Sequence, residues 1–151
     1  MEIEEYIEQR KELYTYVLQF LSNEENNFEN VELLFDQINI TSILNNRDEF
    51  KEFLQLIDQI SNNHHRHLHF NSRVGKILIL LQDNIKQTFS NFEIFKLFES
   101  NKLVLLFLFE NKIIFGNEDI SNYMLKKQFF NKNKYYKFFY KDIKSFVLKI
   151  D

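Results

Sequence analysis

His64, His65, His67 and His69 fall close together and are the only histidines in the chain. Imidazole is the commonest metal ligand, and H-x-H or H-x-x-H spacing suits chelation. A built site needs more donors than these. The chain has no cysteine, and the nearest acids in sequence, Asp58 and Asp83, are not adjacent. The spacing therefore predicts a solvated loop over residues 61–71, with one imidazole close to the C-terminal end of the preceding helix, where its dipole favours a cation. On this reading no metal is required.

Residues 126–149 form the second chemical candidate. They hold eight Lys, one acid (Asp142) and eight aromatics. Cations interleaved with aromatics can follow phosphates and stack on bases. The segment has no Arg, whose fork gives the common bidentate base contacts. That argues against nucleic acid and for Tyr135, Tyr136, Phe138, Phe139 and Tyr140 packing the last helices. A chain this rich in Phe need not bury every aromatic and can offer some to a protein partner. Lys132, Lys134, Tyr135, Tyr136, Lys137, Phe138 and Phe139 are the expected interaction surface. Electrostatic binding of nucleic acid or an acidic partner through residues 126–149 is the alternative.

Enzyme chemistry finds little footing. Only Gly75 and Gly116 are glycines, so no Gly-rich loop exists to approach phosphates. There is no thiol nucleophile and no Ser set in a nucleophile elbow. The pairs Glu24/Glu25 and Glu118/Asp119 sit beside polar breaks and read as solvated. The expectation is a non-catalytic protein without cofactors.

The elements that position these residues read as helices. Ile3, Tyr6, Ile7, Leu13, Tyr14, Val17, Phe20 and Leu21 make one stripe over residues 2–21. Residues 29–39 carry Val31, Leu34, Phe35 and Ile38. Residues 47–61 carry Phe50, Phe53, Leu54, Ile57 and Ile60, with Asn46 and Glu49 at the start. Val74, Ile77, Leu78, Leu81 and Ile85 make the spine of 72–88. Ser90 and Glu93 match a capping box opening a helix with Phe92, Phe95, Leu97 and Phe98. After a turn at Ser100, Asn101 and Lys102, the run LVLLFLF (103–109) is apolar all round, which predicts a central, buried helix. A buried strand is its alternative. Gly116 is expected to break the chain. Two further helices follow over 118–127 and 142–150.

The 151 residues suit one domain. With 44% apolar residues, including 18 Phe and 7 Tyr, the chain can form a core. Ala, Pro, Cys and Trp are absent, while Asn is abundant and never forms a long run. This pattern reads as AT-rich coding rather than a prion-like tract. The absence of disulfides fits an intracellular, cytoplasmic protein. MEIEEYIEQR is acidic and amphipathic, unlike a signal or transit peptide. The seven-residue apolar run is far short of the ~20 residues of a membrane span. Residues 1–60 hold 14 acids and 4 bases, a net of −10; residues 61–151 hold 8 acids and 15 bases, a net of +7.

Three segments, ISNNHHR (60–66), SNFEIFKLFESNK (90–102) and LLFLFENKII (105–114), resemble the N-terminal helical domain of ankyrin-repeat proteins from parasitic flagellate protists. The likeness covers about residues 20–143. It implies an all-α single domain of stacked antiparallel helical hairpins, ankyrin-like or α-solenoid-like. The 90–114 region would be a degenerate ankyrin helix pair. It also implies a protein–protein interaction module, and it transfers no catalytic or ligand residue. The T-P-L-H-x-A signature is absent, and the chain ends where the family's repeats would begin.

Overall fold

Val74, Ile77, Leu78, Leu81 and Ile85 recur at three-and-four spacing, and each is at most 1% exposed. They form the inner face of one helix in a computed structural model that describes residues 3–22, 28–63 and 68–130. The described residues are helical, with no strand among them. In chain order the elements are α1 (Ile3–Ser22), α2 (Phe28–Gln37), α3 (Ile40–Ile43), α4 (Arg47–Asn63), α5 (Leu68–Thr88), α6 (Asn91–Leu97), α7 (Lys102–Glu110) and α8 (Glu118–Phe130). The chain forms two compact units, Met1–Thr88 and Phe89–Asp151. The expected helix over 142–150 lies outside the described residues.

In the first unit α1 packs against α2, α3, α4 and α5, and α4 packs against α5. Leu13, Val17, Phe20 and Leu21 from α1 and Phe50, Phe53, Leu54 and Ile57 from α4 are all buried in its core. Burying each such side chain contributes about 1.5–3 kcal/mol. Arg73 fixes the end of α1 to α5. Its Nε donates to the Phe20 carbonyl at 2.9 Å, and its guanidinium lies 4.3 Å from the Phe20 ring centre. A cation at the carbonyl end of a helix also complements the helix dipole.

Helix starts are set by short polar side chains. Asn46 Oδ1 accepts from Glu49 N at 3.2 Å at the start of α4. Asn39 caps α3, Asn101 caps α7, and Asn117 Oδ1 accepts from Ile120 N at 2.9 Å. Asn thus does the work often done by Ser, Thr or Asp. Both halves of the Ser90/Glu93 capping box form.

Two expectations are corrected. The His loop is shorter than 61–71, because α4 runs to Asn63 and α5 begins at Leu68. No Pro or Gly lies there to stop either helix. The four-residue α3 is too short for a periodic signal. The run 103–109 is a helix and not a strand, yet it is not buried all round. Val104, Leu105, Leu108 and Phe109 face the core of the second unit, but Leu103 is 45% exposed. Leu103 lies on the side of α7 opposite that buried face.

α7 ends at Glu110, and Gly116 lies in the break before α8. Lys112 takes the left-handed conformation (φ 57°). Ile113 N donates to Leu108 O at 2.9 Å, and Lys112 N to Phe109 O at 3.1 Å. This is the Schellman pairing, with buried Ile113 and Leu108 as its apolar contact. A side chain at that position costs about 1–2 kcal/mol. Lys112→Gly is therefore expected to stabilise the second unit by about 0.5–1 kcal/mol, after the entropy Gly adds to the unfolded chain. Urea melts followed by circular dichroism check this, and a loss of stability contradicts it.

Candidate functional site

The α1 stripe is wider than the core can cover. Leu13, Val17, Phe20 and Leu21 turn inward, while Ile7, Tyr14 and Leu18 lie along the side toward α4. On α4, Phe53 and Leu56 occupy the facing positions. These residues line an open groove of about 590 Å³. Its floor is a stacked pair, the Tyr14 and Phe53 rings lying 4.0 Å apart at 15°. Its apolar walls remain accessible, with Ile7 41% and Leu56 39% exposed.

Arg10 closes one side. Its Nε donates to the Ile43 carbonyl at 2.5 Å, and the guanidinium pairs with Glu49. One side chain thus ties α1 to the end of α3 and the first turn of α4. Lys11 and Glu52 supply the other charged groups of the lining. The Tyr14 hydroxyl is buried beneath this edge, with no hydrogen-bond partner among the described residues. Burial pushes its pKa up to about 12; Arg10 opposes the rise and Glu49 adds to it.

The unfolded chain ionises Tyr14 near 10.0, before the folded one does. The resulting stabilisation is fully present below pH 10.0 and is lost as the pH rises toward about 12. Ultraviolet titration of the tyrosines should show a late phase that Tyr14→Phe removes. Titration of Tyr14 with the bulk of the tyrosines contradicts the buried hydroxyl.

A second polar cluster lies in the other unit. Tyr123 of α8 donates to Glu99, and Lys96 of α6 donates to the Tyr123 oxygen at 2.9 Å and to Glu99 at 3.3 Å. Phe92 and Phe95 pack edge-on against the Tyr123 ring. Burial, then the bond to Glu99, raises the Tyr123 pKa. The bond to Tyr123, then the charge of Glu99, raises that of Lys96 despite its partial burial. Lys96 and Tyr123 both hold their protons at neutral pH, so neither supplies a base or nucleophile there. The cluster joins α6 to α8.

Lys132, Lys134, Tyr135, Tyr136, Lys137, Phe138 and Phe139 lie outside the described residues, as do His64, His65 and His67; His69 is in the first turn of α5. Among the described residues no group of His, Cys, Asp and Glu is placed to hold a metal ion, and no helix is long and apolar enough to cross a membrane. Sequence reasoning missed the groove, because its residues meet only through packing. Leu18 and Leu56 are apolar positions left over from the two stripes, and each falls on the side where the helices meet. The chain matches no protein-family model, no curated protein and no solved structure.

Proposed function

We propose that this chain is a non-catalytic protein-interaction module whose contact surface in the first unit is the α1/α4 groove. The carrying observation is the accessible apolar wall, Ile7 and Leu56, over the Tyr14/Phe53 stack. Large apolar side chains held open beside a polar edge mark contact sites on soluble proteins. Tyr and Arg, here Tyr14 and Arg10, are among the residue types that dominate interface energies. The floor and the Arg10 tie are formed without a partner, so little ordering would oppose binding.

The family resemblance supports the same class of function. α6 and α7 span 7 and 9 residues and are joined by a short turn. Such short paired helices fit an ankyrin-like hairpin, and stacking of antiparallel hairpins is part of this proposal.

Site-specific photo-cross-linking from position 56, with position 33 as the control, tests the reading. Leu33 is more exposed, at 59%, but lies outside the groove lining. Position 56 should give a discrete protein product that position 33 does not. Equal yields from both positions, or a product from position 33 alone, would remove the groove from the proposal.

A further inference from the structure

The rim of the groove has a sign, and the inference drawn from it rests on the groove being a protein contact. Arg10 is engaged with Glu49 and the Ile43 carbonyl. Lys11 and Glu52 then remain in the lining and offset each other. The next positions outward decide the balance. At 100° per residue, Glu4 and Glu8 follow Lys11 around α1, and Asp48 follows Glu52 around α4. All three are exposed. Glu4, Glu8, Asp48 and Glu52 thus stand against Lys11 alone. The wider field agrees, since residues 1–60 carry a net −10. Such a rim repels phosphate-bearing ligands and attracts cations.

The walls set the shape of the guest. Both are helices whose backbone groups are bonded internally, so the groove has no strand edge to extend. From Ile7 to Leu18 the α1 wall runs about 16 Å at 1.5 Å per residue. That length accepts about three turns of a third helix, whose apolar stripe would lie between Ile7 and Leu56. We propose that the groove binds an amphipathic helical segment of a partner protein, with Leu or Phe on one stripe and Lys or Arg on its flanks.

The test titrates the full chain, labelled with ¹⁵N, with peptides of about 14 residues. The first has Leu at i, i+3, i+4 and i+7 with Lys on the flanks. The second has Glu in place of each Lys, and the third has Ser in place of each Leu. The Leu/Lys peptide should shift amides of residues 7–18 and 49–56. It should bind at least about tenfold tighter than the Leu/Glu peptide at low salt. That ratio should shrink between about 20 and about 150 mM salt. The Ser/Lys peptide should not bind. Equal binding of the Leu/Lys and Leu/Glu peptides overturns the charge preference and leaves the groove reading standing. Failure of the Leu/Lys peptide to perturb the groove overturns this inference, while the cross-linking result decides the groove reading separately.

Discussion

Phe53→Ala is expected to lower the unfolding free energy by about 3–5 kcal/mol, the usual range for truncating a buried phenylalanine. Phe53 is 3% exposed, and its ring both fills the α1/α4 core and carries Tyr14 in the stack. Removing it deletes the contact surface on two sides. It also leaves the Tyr14 ring without its partner, beside a hydroxyl that already has none among the described residues. Domain stabilities are about 5–15 kcal/mol, so the loss is a large fraction of the total. The chain has no Trp, and circular dichroism during urea unfolding is the suitable readout. Phe53→Leu, which keeps most of the apolar volume, should cost much less. Equal losses would show that the aromatic stack, and not the buried apolar volume, carries the contribution of Phe53.

Ile7→Asp combined with Leu56→Asp should have the opposite profile. Both side chains are about two-fifths exposed, so their replacement opens no sealed cavity. The change in stability should stay near the ~1 kcal/mol centre of the range for single substitutions at each site. Binding of the protein cross-linked through position 56 should fall by at least about 100-fold, as expected when apolar anchors worth ~2 kcal/mol or more are replaced by carboxylates. Titration calorimetry with the purified partner, beside a thermal melt of the variant, reads both quantities. Full affinity in a folded variant would place the energetic centre of the interface elsewhere.

Local signals and long-range packing differed in how well the sequence disclosed them. The α5 spine and the Ser90/Glu93 box could be read directly, because a helix period and a cap depend on residues three or four apart. The Asn46 cap was legible for the same reason. The groove was not. The apolar positions of α1 exceed one face, and α2, α3, α4 and α5 together decide which are covered. No local pattern separates Leu13, fully buried, from Ile7, left open. Leu56 stands apart from the core stripe of α4 and becomes meaningful only when Tyr14 is placed opposite. Lys112 shows the converse limit. Its left-handed turn has no sequence mark, since Gly or Asn is the residue expected there. Gly116 marks the break between α7 and α8 but is not the residue that turns the chain.

The central claim is that partners contact the α1/α4 groove, and methyl resonances report it most directly. The full chain would be labelled at Ile and Leu methyls and titrated with the partner identified by cross-linking. The account predicts that Ile7, Leu18 and Leu56 shift or broaden, while the exposed methyls of Leu33, Ile79 and Leu103 stay in place. Perturbation of Leu33, Ile79 or Leu103 with Ile7 and Leu56 unmoved would contradict it.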